Sequence, residues 1–533
     1  MTARSAHRGT SIFLLSFVVF FGASAIWAAA TPLLAAPDEP SQIVKAVAVA
    51  YGRWTAVCYV IPGNECTQND TSALGFEALP TFYDLVRSPD TTDKAHSQIC
   101  FKQKSSGIGV IPASCARSLN RRPDAADIKG GYELYSSTYQ ARYPPLYYAI
   151  VGLPSHLGGS TIDLYLMRLV SAALASIFLA LALTTARVYS RNRLLVVGLI
   201  VATTPMVLFL AGVVNPSGLE IACGVSLFSA GAVLVTERLH DAPRGLLAVL
   251  VVSASTLELV RSLSPLWVAL SAISLVGFGR APALRRFLRR PRALLGGLVV
   301  VVFGVAAVIW IVTVHATLVY SAGNTGLAPG TSEATILRTS FLHNSFYLPD
   351  MVGIFGWFDT RAPLFSYLVW YVLALGLLAI GVAIGGRLRG SVLVAMSIAV
   401  LVVPVLISSS QARQHGYVWS GRDTLPFAVG LPILAAAAAG ERLALWLGPS
   451  GVRRVVLGVS LLAGIAQFGA FYEALRRYAV GTAGPIFGFI AHPLWRPAIG
   501  IVPALLLELF ALVALYGLFV ASVRDPARAD PVT

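Results

Sequence analysis

The sequence predicts an all-α polytopic membrane protein of about twelve transmembrane helices, and three observations carry that reading. Charge is scarce: 56% of the 533 residues are hydrophobic and only 12% are charged. The mean hydropathy is +0.73, and a soluble chain of this length needs more charge to cover its surface. Residues 11–36, 194–212, 293–319, 364–385, 390–408 and 497–521 form apolar runs, each long enough to cross a hydrocarbon core of about 30 Å as a helix. The arginines gather in short loops between such runs, as the inner-leaflet bias of basic residues requires. The net charge of +15 therefore reads as topology, and no nucleic-acid partner is expected.

Arg4, His7 and Arg8 precede the first run, and Ala28–Ala30 could mark a signal-peptide cut. The run is longer than a cleaved h-region and more spans follow, so an uncleaved first helix over residues 1–36 is expected. Arginine placement then puts both termini in the cytoplasm, residues 37–160 outside, helices two to seven in 161–320, a second outer loop at 321–362, and helices eight to twelve with a short tail in 363–533. Residues 245–279 read as a tight pair of spans, returning to the arginine-rich stretch Arg280 to Arg292.

The long loop holds all the lysines and four of the five cysteines. Cys58, Cys66, Cys100 and Cys115 would lie on the oxidising side. Of their three possible pairings the local ones, Cys58–Cys66 and Cys100–Cys115, are favoured; free thiols are the alternative. No CxxC spacing or histidine cluster calls for a metal. A phosphate-cradling Gly-Lys loop, HExxH and GxSxG are all absent, which argues against ATP-driven work.

Candidate chemistry sits at the outer ends of the spans. Pro37-Asp38-Glu39-Pro40 places two carboxylates between prolines, ahead of a short helix with Ile43, Val44, Val47 and Tyr51 on one face, expected to lie along the interface. Asp38 or Glu39 can cap that helix or act as a general base. Tyr147, in Tyr143-Pro144-Pro145-Leu146-Tyr147-Tyr148, opens a second short helix and reads as an interfacial anchor or a binding residue. Trp357 and Asp359, in GIFGWFDTR, can stack on a sugar ring and bond its hydroxyls, or serve as an anchor and half of a surface pair with Arg361. Arg168, Arg261 and Arg422 lie at outer span ends, against the basic bias, with Arg413 nearby; such arginines bind phosphate head groups, or snorkel, or in the case of Arg261 pair with Glu258.

These stretches together resemble a family of bacterial polytopic proteins, domain-of-unknown-function 2142, itself similar to membrane glycosyltransferases of the GT-C fold. The resemblance rests on Asp38-Glu39-Pro40, Pro144-Pro145-Leu146-Tyr147-Tyr148, Asn215-Pro216, Gly356-Trp357-Phe358-Asp359-Thr360 and Gly421-Arg422 before Leu425-Pro426. It departs from the family at Gln42, Tyr143, Ser217 and Asp423. It implies a bacterial plasma-membrane enzyme with a large first outer loop. Such an enzyme takes a sugar from a polyprenyl-phosphate donor to a cell-wall glycan or glycolipid acceptor, with Asp38 as base, Glu39 as second candidate and no certain cofactor. A lipid-linked-glycan transporter and a non-catalytic assembly protein are the alternatives.

Overall fold

The computed structural model describes residues 3–55, 57–58, 74–77, 135–138, 140–157, 161–279, 281–314, 316, 326–328 and 330–523. Of the cysteines expected to pair, Cys66, Cys100 and Cys115 lie outside these residues, and only the backbone of Cys58 is described.

The chain is an all-α polytopic membrane protein. Nine described helical stretches have the length and apolarity to cross a bilayer. They are α1 (Ala3–Ala30), α4 (Thr161–Val188), α7 (Pro216–Val233, prolonged by a π-turn over Leu234–Arg238), α11 (Pro291–Thr313), α14 (Leu364–Ile384), α15 (Arg387–His415), α16 (Gly421–Ala428) continued by the first part of α17 (Gly430–Val480), the remainder of α17, and α18 (Ile501–Ala521). The long α17 breaks at Gly448, whose φ of 62° is left-handed, just before Pro449; proline has no N–H for the ladder, so one helix serves two spans. Shorter helices stand among them. The pair α5 (Leu195–Ala202) and α6 (Pro205–Ala211) is one span interrupted before Pro205, and α8 (Arg244–Glu258) and α9 (Ser264–Phe278) are the tight pair.

Proline explains the interruption. Thr204 is extended (ψ 166°), as the residue before proline prefers. A carbonyl freed there is taken up by Trp370 Nε1, which donates to Val201 O at 3.1 Å, and Thr204 Oγ1 ties the break to α13 through Met351 O at 2.8 Å.

At the centre stands α7, entirely buried from Pro216 to Val233. Its approach to α16 depends on Gly224, where a Cβ would run into Pro426 O. The minor helices are α2 (Glu39–Ala50), α3 (Leu146–Val151), α10 (Ala281–Leu288), α12 (Glu333–Leu342) and α13 (Asn344–Gly353). Strands are vestigial. An antiparallel set, β1 (Val57–Cys58), β2 (Leu74–Glu77) and β3 (Tyr135–Ser137), belongs to the long loop, and β4 (Ile354–Phe355) pairs with β5 (Thr360–Arg361) as a hairpin.

Helix α2 is enclosed by the protein: every residue from Glu39 to Val49 is buried. Its polar members are paired inward. Lys45 Nζ donates to Trp54 O at 2.7 Å and to Ala141 O at 2.8 Å, tying together the chain just before and just after the long loop.

The tightest polar anchor is Glu39 with Arg168 of α4, both wholly buried. Arg168 Nε and Nη2 donate to the two Glu39 oxygens at 2.7 and 2.6 Å. Its remaining donors reach Ala28 O, Thr31 O and Pro32 O at 2.8, 2.6 and 2.8 Å. Glu39 also accepts Leu34 N at 3.0 Å and Val214 N at 3.2 Å. All five guanidinium N–H groups thus meet acceptors.

Two predictions follow from these anchors. Glu39→Gln should cost about 3–5 kcal/mol by stranding the Arg168 charge, whereas Glu39→Gln with Arg168→Met in one chain should recover part of that loss. Thermal melting of purified protein in detergent checks this, and equal melting of wild type and Glu39→Gln would refute the anchor. Burial lowers the Lys45 amine from 10.5 to about 7. A base whose folded pKa lies below its unfolded one carries its full penalty below pH 7, and the penalty fades as pH rises toward 10.5. Stability should therefore climb between pH 7 and 9 in wild type, with a flatter slope in Lys45→Met, measured by melting across that range.

Candidate active site

Asp38 and Glu39 are neighbours with opposite fates. The clamp that consumes Glu39 leaves Asp38 at the N-cap of α2 in the left-handed region (φ 62°, ψ 0°), where its side chain makes no capping bond. A second tie fixes the same turn: Asn215, which caps α7 by accepting Ser217 N at 3.0 Å, donates Nδ2 to Pro37 O at 3.0 Å. The Asp38 carboxylate is consequently directed away from its own helix. It pairs with Arg422 Nη2 and keeps one fifth of its side-chain surface open.

Arg422 is held by its backbone. The Gly421 and Arg422 amides donate to Asp350 Oδ2 at 2.7 and 3.3 Å, an anion at the start of α16, where free N–H groups and the helix dipole favour one. Gly421 permits the approach, since a Cβ would strike Tyr347 O. The Ser420 and Asp423 side chains close a capping box over the same turn. Phe358 lies 5.2 Å from the guanidinium, face to cation, displayed by the β4–β5 hairpin through its own left-handed backbone (φ 62°).

The two arginines facing the Asp38-Glu39 pair differ in saturation. Arg168 spends every donor, but Arg422 has Nε and Nη1 buried without a hydrogen-bond partner, and Asp350 Oδ1 nearby is likewise unpartnered. Burial pushes the Asp350 carboxyl up to about 7, against the pull of Arg422 and of the two amides, so it takes up a proton near neutrality.

Beside this unit sits a second ionic group. Arg261 Nη1 bridges Asp423 Oδ1 at 2.7 Å and Glu220 Oε2 at 3.1 Å. Ser264 Oγ completes Glu220 at 2.7 Å, and Tyr143 places its hydroxyl 3.4 Å from Arg261 Nη2 with its ring under the guanidinium. Arg261 therefore pairs with Glu220 and Asp423 rather than with Glu258. Four carboxylates, Asp38, Glu220, Asp350 and Asp423, surround the Arg261 and Arg422 guanidiniums.

The remaining candidates scatter. Tyr147 is fully buried, bonded to Ser171 Oγ at 2.9 Å, and is neither an interfacial anchor nor open to a ligand. Arg168 and Glu39 are closed to any ligand by their own pairing. Asp359 is no surface residue: it is buried against Arg477 of α17 through Nε at 3.0 Å and through Nη2, while Arg361 is exposed. Trp357 is half-buried in the hairpin turn, and the ring that meets Arg422 belongs to its neighbour Phe358. Arg413 is exposed and pairs with Glu333 at 2.5 Å and Thr331 O at 3.0 Å, apart from the Asp38 cluster. Among the described residues no group of three or more His, Cys, Asp and Glu side chains could hold a metal ion.

Sequence reading missed Glu220, Asp350, Phe358 and Arg477. Glu220 carried a usable signal, a carboxylate inside an apolar run, where an ionisable group is costly unless it is paired. Asp350 carried none, because its role lies in the two amides it accepts across 71 residues of chain.

A family model described as a predicted membrane protein, domain-of-unknown-function 2142, matches residues 20–431. No curated protein matches the chain. Among solved structures, ArnT from Cupriavidus metallidurans bound to undecaprenyl phosphate aligns over 98% of this chain and 77% of its own, with 14% identity and a TM-score of 0.41. With the family model covering the chain from its first helix into the start of α17, the protein belongs to the domain-of-unknown-function 2142 family of membrane proteins.

Proposed function

We propose that this chain is a membrane glycosyltransferase that moves a sugar from a polyprenyl-phosphate donor to a cell-wall glycan or glycolipid acceptor. The reaction runs at the outer face of a bacterial plasma membrane, with both termini in the cytoplasm. The observation that carries the reading is the asymmetry of the two neighbouring carboxylates. Glu39 is locked to a saturated arginine; Asp38 is partly open beside an arginine with two unpartnered nitrogens, Nε and Nη1. A saturated buried pair builds structure, whereas an unsaturated one can exchange partners.

In the resting arrangement Arg422 holds Asp38. A donor phosphate entering beside Phe358 offers Arg422 oxyanions for Nε and Nη1, and the stronger charge-assisted bonds draw the guanidinium from the carboxylate. Asp38, released, accepts the proton of an acceptor hydroxyl while that oxygen attacks the anomeric carbon. The new C–O bond forms as the bond from that carbon to the phosphate oxygen breaks. The electron pair leaves with the polyprenyl phosphate, whose charge Arg422 takes up. Attack from the face opposite the leaving group inverts the anomeric centre.

Arg261, already neutralised by Glu220 and Asp423, acts in this scheme as the brace that keeps Asp423, and with it the Arg422 turn, in place. The prenyl chain lies among the surrounding lipids. Trp357, half-buried in the hairpin that carries Phe358, shapes the rim of the site.

Transfer of radiolabelled sugar from polyprenyl-phosphate donors, using purified protein in lipid with envelope acceptors, tests the reading. Asp38→Asn should lower turnover by 10²-fold or more, the scale of a lost general base, with donor binding retained. Arg422→Lys should raise the donor KM at least about tenfold, because an ammonium cannot reproduce a bidentate contact. Equal transfer by wild type and Asp38→Asn refutes the base assignment. Absence of transfer by wild type across a broad donor panel refutes the enzyme.

A further inference from the structure

The end of the molecule opposite Asp38 carries a separate feature. Helix α9 begins at Ser264, bonded to Glu220 of the candidate site, and runs away from it for 15 residues, about 22 Å at 1.5 Å per residue. Helix α11 climbs back, and its Trp310 Nε1 donates to Arg142 O beside the site at 3.1 Å. Between them α10 turns at the far end, where it buries Leu284 and Phe287 and exposes Arg285 and Arg286. Arg289, Arg290 and Arg292 continue the exposed run into the first turn of α11.

This charge has no counterpart among the described residues. None of the five arginines joins an ion pair among the described residues; Arg286 merely donates to Pro282 O of its own helix at 3.4 Å. Two described carboxylates, Glu237 and Asp241, are engaged elsewhere. Glu237 accepts Ser190 Oγ at 2.5 Å and the Arg191 amide, and Asp241 pairs with Arg238 at 3.0 Å. Directly beyond the arginines α11 is bare, with Leu294, Leu295 and Leu298 each about three-fifths exposed on a span of which 6% is buried. Guanidiniums stand over an uncovered apolar wall.

We infer that this face binds anionic phospholipids, phosphate head groups on Arg285, Arg286, Arg289 and Arg290 and acyl chains along Leu294, Leu295 and Leu298. A basic bias alone places arginines on one side of a membrane. Here it is joined to an amphipathic helix, a lack of counter-charges among the described residues and an adjoining apolar wall, and head-group phosphate supplies the opposite charge. Such binding would fix the α9–α11 pair, and hence Ser264 and Glu220 at the other end, to the leaflet. The inference stands independently of the proposed chemistry.

Native mass spectrometry of the full chain, released from discs of phosphatidylcholine containing a minority of phosphatidylglycerol, tests it. Wild type should retain phosphatidylglycerol over phosphatidylcholine by at least about tenfold beyond their ratio in the disc, with attenuation in high salt. The Arg285→Gln, Arg286→Gln, Arg289→Gln, Arg290→Gln chain should lose the preference. A companion with Lys at the same four positions should keep most of it, which separates charge from folding. A glutamine chain that retains phosphatidylglycerol as wild type does overturns the inference. So does competition by millimolar inorganic phosphate equal to that of the lipid, which would mark a soluble-anion site.

Discussion

One buried ion pair organises the candidate site. Glu39 and Arg168 have no contact with solvent, and between them they fasten the end of α1, the turn after it, the start of α2, α4 and the junction of α6 with α7. A charge pair in an apolar interior is tolerable only when every donor and acceptor is met, and here all are. With Asn215 gripping Pro37 from the other side, the backbone at residue 38 has little freedom left. It adopts a left-handed conformation that a β-carbon disfavours, at a cost on the order of 1 kcal/mol that the surrounding bonds offset. Asp38 is where it is because Glu39 is where it is.

The same logic runs through the α16 turn. Asp350, Ser420 and Asp423 between them take up the free amides of its first residues, and the α16 backbone thereby aims Arg422. The ionic chain from Asp38 through Arg422, Asp423 and Arg261 to Glu220 draws on the first loop, α16, the α8–α9 turn and α7. Rearrangement at one member bears on the others, since buried charges within a few ångströms of one another interact strongly.

Much of this was legible in the sequence, and the rest was not for a definable reason. Apolar run length is a local property, so the polytopic all-α class was legible, and nine described helices have the length and apolarity to cross a bilayer. The Asp38-Glu39-Pro40, Asn215-Pro216 and Gly421-Arg422 motifs marked positions that the structure gathers at one end. Which residue does what depended on partners distant in sequence. Asp38 and Glu39 are indistinguishable as text; only Arg422, 384 residues away, and Arg168, 129 away, separate them. Tyr147 and Asp359 read as surface residues because aromatic and charged residues near span ends usually are, and Ser171 and Arg477 could not be seen to await them.

The left-handed backbone at residue 38 bears on how such a protein can drift. Asparagine and glycine adopt that conformation more readily than other residues. Single-base changes from an aspartate codon reach both, so the carboxylate can vanish while the turn, the clamp and the bundle remain. Alanine would confuse two effects, adding a steric burden to the chemical loss. If Asp38 acts as proposed, relatives with Asn or Gly at this one site beside an intact glutamate would keep the scaffold without the carboxylate.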